Sequence, residues 1–118
     1  MSDYQTFAKE AEAALRDVFA PTPLQKNDHL SAMYEADIWL KREDLSPVRS
    51  YKLRGAFNAM RKLPDQKDFV CASAGNHAQG VAYMCRQFGV RGRIFMPVTT
   101  PQQKIQKTKI FGGDQVTI

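Results

Sequence analysis

A lysine in segment 50–56 has the setting expected of a nucleophilic amine. The segment reads Ser-Tyr-Lys-Leu-Arg-Gly-Ala, and Lys52 lies in the first turn of a predicted helix. The dipole at a helix N-terminus disfavours a nearby positive charge, and a neutral amine is the form that attacks an aldehyde. Tyr51 offers a flat face beside the amine, and Gly55 leaves room for close backbone packing. Alone the pattern is weak, because most of the 17 Lys and Arg residues are expected to be surface charges.

A second segment, 73–80, joins a predicted strand to a predicted helix and has the features of an anion site. It reads Ser-Ala-Gly-Asn-His-Ala-Gln-Gly. Small residues let a ligand approach the backbone, and the first N–H groups of a helix favour a carboxylate or phosphate. The segment is not a P-loop, because Val81 and Ala82 stand where Lys and Ser or Thr are required. The alternative interpretation is a tight turn in which Asn76 caps the helix.

Three other groups of polar residues favour structural roles. His77 has no second histidine nearby and no evident acidic partner, so an orienting role is preferred to that of a base. Glu43 and Asp44 are adjacent and point in opposite directions on an extended chain, so each is expected to pair with Lys or Arg. Cys71 and Cys85 lack metal-ligand spacing, and we expect two small buried hydrophobic residues and no metal site.

The elements around these segments predict an α/β fold with a parallel sheet. Helical spacing predicts helices over 7–19, 28–34 and 50–62, with a strand over 38–41 and a polar loop over 43–47. The remainder predicts strands over 69–72, 93–96 and 115–118 and helices over 76–88 and 101–111, capped by Gly89 and by Thr100 respectively. The order β-α-β-α-β predicts parallel strands with right-handed crossovers. Because a buried parallel strand is ordinarily covered by a following helix, the chain is expected to be a fragment.

Composition and charge argue against several classes of protein. Hydrophobic residues make up 43% and charged residues 25%, as in ordinary globular domains. The net charge is +5, but no aromatic residues interleave with the basic group at Lys104, Lys107 and Lys109, so no nucleic-acid partner is expected. No apolar run approaches the roughly 20 residues that span a bilayer. The N-terminal residues do not resemble a secretory or transit signal, so a cytoplasmic location is expected.

Four segments, taken in order, resemble the serine and threonine dehydratase family. They are 21–24 (Pro-Thr-Pro-Leu), 40–44 (Leu-Lys-Arg-Glu-Asp), 50–56 and 73–80, and the match extends through 95–97 and 101–104. The resemblance covers about 21–113 and is nearest to biosynthetic-type threonine dehydratases. It implies the fold-type II (tryptophan-synthase-β-like) pyridoxal-phosphate fold, with three layers and a parallel sheet. In that fold, 1–68 would begin the large lobe and 69–118 would form part of the small lobe.

The resemblance also implies residue roles. Lys52 corresponds to the lysine that holds pyridoxal 5'-phosphate as a Schiff base, and Tyr51 to an aromatic residue that packs against the cofactor ring. Asn76 corresponds to the residue that hydrogen-bonds the 3′-oxygen of the cofactor. The loop that binds the substrate carboxylate corresponds to Ser73, Gly75, Asn76 and His77. The family's glycine-rich phosphate loop and its partner for the pyridine nitrogen are expected beyond residue 118.

The activity implied for the full-length parent is conversion of L-threonine to 2-oxobutanoate and ammonia, as in isoleucine biosynthesis. Conversion of L-serine to pyruvate is expected as a side activity. The parent is expected to be a homo-oligomer, and the 118 residues alone are expected to be inactive.

Three alternatives stay open. One is a serine dehydratase or a serine racemase-like enzyme. Another is a non-catalytic remnant that only binds a partner half, and the third is a generic basic α/β binding module. Ala74 favours dehydration over racemisation: serine racemases of this family carry Ser directly before Gly-Asn-His, and the methyl group of Ala74 cannot donate a proton.

Overall fold

The computed structural model describes residues 2–118, which form an antiparallel strand pair, a parallel sheet and five helices. The first group of elements is α1 (Ser2–Leu15), β1 (Leu24–Lys26), α2 (Asp28–Met33), β2 (Trp39–Lys41), a 3-10 turn (Glu43–Leu45) and α3 (Lys52–Met60). The second group is β3 (Asp68–Ala72), α4 (Asn76–Phe88), β4 (Arg91–Phe95), α5 (Gln102–Gly112) and β5 (Val116–Thr117). Within residues 2–118, no helix combines the length and the apolar character needed to cross a membrane.

The second group contains the predicted parallel sheet. The strand order is β3-β4-β5, and both pairings are parallel, as the β-α-β-α-β pattern indicated. Helices α4 and α5 cover the face that carries Ile94, which is buried in a cluster with Ala78 and Ala82. On the opposite face, Val70 and Phe95 are 64% and 62% exposed. The prediction of an α/β fold with a parallel sheet is therefore confirmed, with both crossover helices on one side.

A larger core joins α3 to α4 and so connects the two groups of elements. Leu53 and Phe57 from α3 are buried together with Val81 and Met84 from α4. The periodic apolar positions of the two helices produce this contact, because residues three and four apart share one helix face. Helix α3, which begins at Lys52, is consequently packed against helix α4, which begins within segment 73–80.

Cys85 and Gly89 have the predicted structural roles, whereas Cys71 is less buried than predicted. Cys85 is fully buried and Cys71 is half-buried, and both are free thiols. Burial raises the pKa of the Cys85 thiol to about 11 and also raises the pKa of Cys71, so both behave as apolar residues. Gly89 ends α4 with φ +63°, the left-handed conformation that favours glycine.

Some predicted boundaries differ from the observed ones. Strand β1 was not predicted, because three residues are too few for a periodic signal and it forms by pairing with β2. Helix α1 ends at Leu15, and residues 16–18 continue as turns. The prediction that Thr100 caps α5 is wrong. Pro101 is the N-cap, because its carbonyl accepts hydrogen bonds from Lys104 and Ile105, and the buried Thr100 hydroxyl has no partner among the described residues.

Candidate active site

The start of α3 is fixed by two buried serines. Ser50 Oγ accepts a hydrogen bond from the Lys52 N–H at 3.2 Å, which satisfies one of the free donors of the first helical turn. Ser46 Oγ in turn accepts from the Ser50 N–H at 3.0 Å and donates to the Ser50 carbonyl at 3.1 Å. Between them, Arg49 adopts φ +56°, which is uncommon for a residue with a side chain. The backbone that leads into Lys52 is therefore held in one defined turn.

The Lys52 side chain is exposed, and its amine is unpaired among the residues that the structure describes. Its Nζ lies 5.3 Å from the centroid of the Tyr51 ring and has no hydrogen-bond or ion-pair partner within residues 2–118. Tyr51 is 60% exposed, whereas Leu53, two residues later, is fully buried on the inner side of α3. Lys52 and Tyr51 together present a primary amine beside an aromatic face that solvent can reach.

Gly80, and not Gly55, provides the close backbone approach at Lys52. A Cβ added at Gly80 would lie 3.3 Å from both the carbonyl carbon and the carbonyl oxygen of Lys52, whereas a Cβ at Gly55 would meet nothing within 4 Å. The expectation for Gly55 is therefore wrong. Gly80 is the fifth residue of α4, so this contact is made about 6 Å along the helix axis from Asn76.

The loop from β3 into α4 is open at its glycine. The Ser73 N–H donates to the Phe95 carbonyl at 3.0 Å, which fixes the loop to the end of β4. Ser73 Oγ accepts from the Gly75 N–H at 3.3 Å. A Cβ at Gly75 would meet nothing within 4 Å, so the backbone there faces free space. The loop thus leaves room for a ligand above the N-terminus of α4.

Asn76 does not cap α4. Gly75 occupies the N-cap position without a side-chain hydrogen bond, and Asn76 is the first helical residue. Asn76 and His77 are both exposed, and their backbone N–H groups are among those that lack an acceptor within the helix. The alternative interpretation, a capping Asn76, is therefore wrong. The amide of Asn76 is left available to a ligand.

Two features of the site were missed by sequence reasoning. Gln79 is only 4% exposed, yet its Oε1 has no hydrogen-bond partner among the described residues. A polar residue on an otherwise apolar helix face was the available signal. Thr22, in the Pro-Thr-Pro-Leu segment, is buried and hydrogen-bonded to Glu43. As predicted, Glu43 and Asp44 pair with basic residues, which are Arg54 and Arg42 respectively.

Comparisons with known proteins identify the family of this chain. The model of the family described as "Pyridoxal-phosphate dependent enzyme" matches residues 15–118. The chain is 54% identical over 112 residues to the biosynthetic L-threonine dehydratase of Bacillus subtilis (strain 168). That match covers 92% of this chain and 26% of the relative, so the chain spans about a quarter of the length of such relatives.

Solved structures show the same fold. The processed form of threonine deaminase isoform 2 from Solanum lycopersicum matches with a TM-score of 0.85 and 38% identity, over 99% of this chain and 33% of that one. Maize serine racemase matches with a TM-score of 0.85 and 28% identity, over 95% and 35% of the two chains. The fold class is therefore that of these fold-type II enzymes. With the family model covering nearly the whole sequence, the chain belongs to the pyridoxal-phosphate-dependent enzyme family.

Proposed function

We propose that this chain is part of a pyridoxal-phosphate-dependent dehydratase that converts L-threonine to 2-oxobutanoate and ammonia, and L-serine to pyruvate as a side activity. The observation that carries the proposal is the exposed amine of Lys52, unpaired within residues 2–118, on a helix packed against α4, the helix that follows the open loop at Gly75. The proposal includes a cytoplasmic, homo-oligomeric enzyme. It also assigns 1–68 to the start of a large lobe and 69–118 to part of a small lobe.

The residues present fit the cofactor of the family. A lysine that forms a covalent link to an aldehyde must have a reachable amine, and Lys52 has one without an ion-pair partner within residues 2–118. The exposed ring of Tyr51 lies beside that amine and offers a stacking face for the cofactor ring. At the start of α4, the Asn76 amide has no hydrogen-bond partner within the described part of the chain, and it can donate to the cofactor's 3′-oxygen.

The substrate carboxylate is assigned to the loop before α4. Helix N-termini stabilise anions through their free N–H groups and their dipole. Here the N–H groups of Asn76 and His77 are at that terminus, Gly75 leaves the space open, and Ser73 adds a hydroxyl. The carboxylate of an amino acid held there would be oriented by the same helix that touches the Lys52 backbone through Gly80.

Lys52 then acts as the base. When bound, pyridoxal phosphate supplies an electron-accepting ring that delocalises the charge left at the substrate α-carbon. The Lys52 amine accepts the α-proton at Nζ, and its exposed position on the first turn of α3 lets the substrate reach it. The β-hydroxyl of the substrate leaves as water, and one water is consumed when ammonia is released. Threonine therefore gives 2-oxobutanoate and ammonia with no net change in water.

The test uses the protein at the length that its gene encodes, supplied with pyridoxal phosphate. Formation of 2-oxobutanoate from L-threonine is measured for the wild type, for Lys52→Ala and for Lys62→Ala, an exposed lysine just beyond α3. We expect turnover in the wild type and in Lys62→Ala and at least about a 100-fold loss in Lys52→Ala, since positioned proton transfer contributes roughly 10²–10⁴-fold. Near-normal turnover in Lys52→Ala, or a cofactor-loaded wild type without turnover, overturns the proposal.

Racemisation of serine is the second candidate, because serine racemases are among the structural matches. The two reactions share removal of the α-proton and differ in the fate of the deprotonated substrate. Racemisation requires a proton donor on the face of the substrate opposite Lys52. The loop carries Ala74 directly before Gly75, and a methyl group donates no proton, which favours elimination.

A further inference from the structure

Three segments that are distant in sequence meet at a charged cluster beside α3. Arg54 donates to both carboxylate oxygens of Glu43, from Nε to Oε2 at 2.9 Å and from Nη2 to Oε1 at 2.8 Å. The Thr22 hydroxyl donates to Glu43 Oε1 at 2.6 Å and accepts from Arg54 Nη2 at 3.2 Å. Two parallel N–H···O bonds of this kind are both strong and directional. The Thr22–Glu43–Arg54 cluster is therefore a geometrically specific contact.

The cluster is partly buried, and its three side chains are hydrogen-bonded to one another. The side chain of Glu43 is 17% exposed and that of Arg54 is 32% exposed, while Thr22 is 5% exposed. The hydrogen bonds from Arg54 lower the pKa of Glu43 below its ordinary value, with Thr22 adding to the effect. Lys41 Nζ donates to the Thr22 carbonyl, and the Arg54 guanidinium lies 5.6 Å from the ring centroid of Phe19. The charges of Glu43 and Arg54 are thus paired with each other within the protein.

The cluster lies two residues from Lys52 on the same helix. Residues two apart on a helix point to different sides, so Arg54 acts on Lys52 through the α3 backbone and not by side-chain contact. On another side, the Lys52 backbone meets Gly80, and its N–H is bonded to Ser50 Oγ. The first turn of α3 is consequently fixed by three contacts: with α4, with the hydrogen-bonded turn from Ser46 to Ser50, and with this cluster.

We propose that Thr22, Glu43 and Arg54 are positioning residues that set the place of Lys52 relative to loop 73–77, and so control attachment of the cofactor to its amine. The inference rests on the proposed function of Lys52. Without the bidentate pair, α3 keeps its apolar contacts to α4 but loses the only ion pair that fixes its first half within residues 2–118. The Lys52 amine then samples a wider range of positions, and a smaller fraction of them is suitable for attachment of the cofactor.

The chain offers a matched control for this cluster. Arg42 also forms a bidentate pair, from Nε and Nη2 to the two oxygens of Asp44, at 2.9 and 2.7 Å. That pair is at the surface, with the Asp44 side chain 57% exposed, and within residues 2–118 it makes no hydrogen bond or ion pair to α3. Asp44→Asn therefore removes a similar ion pair one residue away from Glu43 while leaving Lys52 untouched.

The experiment measures attachment of pyridoxal phosphate to Lys52 in the protein at its native length, well below its unfolding temperature. Attachment is followed by visible absorbance across a cofactor titration, and by borohydride reduction with peptide mass mapping. We expect apparent affinity to fall about tenfold or more in Glu43→Gln, because displacement of a reacting group by roughly 1 Å can cost about 100-fold. Thr22→Val, which keeps the ion pair, should lose less, and Asp44→Asn should match the wild type.

The outcomes separate this inference from the proposed function. If the wild type does not attach the cofactor at Lys52, the proposed function fails. If the wild type does, and a folded Glu43→Gln attaches it within twofold of normal while only its thermal stability falls, the cluster is merely structural and the inference is wrong. Should Glu43→Gln not fold, Thr22→Val decides the question: unchanged affinity and an unchanged rate of attachment contradict the inference.

Discussion

Gly80 of α4 lies directly against the backbone of Lys52, so that a Cβ in its place would be 3.3 Å from the lysine carbonyl carbon and oxygen. This contact joins the helix that carries the candidate nucleophile to the helix whose N-terminus carries the candidate carboxylate site. Backbone atoms of a regular helix cannot yield as a flexible side chain can, so the contact fixes the separation of α3 and α4.

Gly80→Ala is therefore expected to destabilise the protein and to weaken cofactor attachment. Gly55→Ala is the matched control, since Gly55 is also inside a helix but a Cβ there meets nothing within 4 Å. Both variants gain the same helix propensity, roughly 0.5–1 kcal/mol. The difference between their free energies of unfolding isolates the contact, and overpacking predicts about 1–3 kcal/mol. Equal stability of the two variants in urea unfolding would show that the helices can separate freely.

The same two glycines show what sequence could and could not predict. The β-α-β-α-β order and the end of α4 at Gly89 were predictable because hydrophobic period and caps are local signals. Which glycine allows a close approach depends on which helices pack together, and Gly55 was wrongly chosen for that reason. Likewise β1 exists only through its pairing with β2, which no three-residue pattern can indicate.

For the charged residues too, sequence predicted the local property but not the partner that depends on the fold. Adjacency in an extended segment predicted that Glu43 and Asp44 would each pair with a basic residue, but not which one. Glu43 is paired with Arg54, which lies 11 residues along the chain, whereas Asp44 is paired with Arg42, 2 residues back. The loop 73–77 and the exposed Lys52 amine agree with the sequence-based site, while the roles of these residues toward cofactor and substrate stay predictions.

Asn76→Ala is expected to weaken pyridoxal phosphate binding with little change in stability. Asn76 is inside α4 and caps nothing, so its amide is available to the cofactor. Loss of a hydrogen bond to a charged group costs about 1.5–3 kcal/mol, which corresponds to roughly 10–150-fold in affinity. The affinity is read from the visible absorbance of the protein at native length.

Asn27→Ala, in contrast, should lower stability and leave pyridoxal phosphate binding unchanged. The Asn27 side chain accepts from the Leu30 N–H at 2.8 Å and caps α2. Its loss is expected to lower stability by about 1 kcal/mol without changing cofactor affinity. Equal cofactor affinity in Asn76→Ala and the wild type would assign Asn76 no part in cofactor binding.

The ion pair of Glu43 makes a contribution to stability that depends on pH. Arg54 lowers the pKa of Glu43 in the folded protein, whereas the unfolded chain titrates near the ordinary value of about 4.3. The folded state therefore binds fewer protons between these two values. The contribution is complete above the unfolded pKa and is lost as the pH falls through the folded pKa.

Glu43→Gln removes this pH-dependent contribution. At pH 7 the variant is expected to be less stable than the wild type by about 1.5–3 kcal/mol, the range for hydrogen bonds to charged groups. As the pH falls below about 4, the two urea unfolding curves should converge, since protonated Glu43 resembles glutamine. A stability difference that is constant from pH 7 to the acid range would mean that the carboxylate charge contributes nothing.

Ala74 is expected to decide the fate of the substrate once its α-proton has been removed. With Lys52 as the base and a methyl group at position 74, the charge at the α-carbon is expected to be quenched either by loss of the β-hydroxyl or by return of the proton to its original face. Ala74 is half-buried in the loop between β3 and Gly75 and carries no group that can donate a proton. Incubation of the native-length protein with L-serine should therefore give pyruvate and almost no D-serine, as measured by chiral chromatography.

Ala74→Ser supplies the missing donor, since its hydroxyl can protonate the face opposite Lys52 and recover its proton from water. D-serine should then appear, with pyruvate formation reduced because both outcomes draw on the same deprotonated substrate. Ala72→Ser is the matched control: it adds the same hydroxyl two residues earlier, on an exposed position of β3, and should form no D-serine. D-serine produced by the wild type as fast as pyruvate would show that Ala74 does not determine the reaction. In that case the second proton donor would have to be sought elsewhere in the protein.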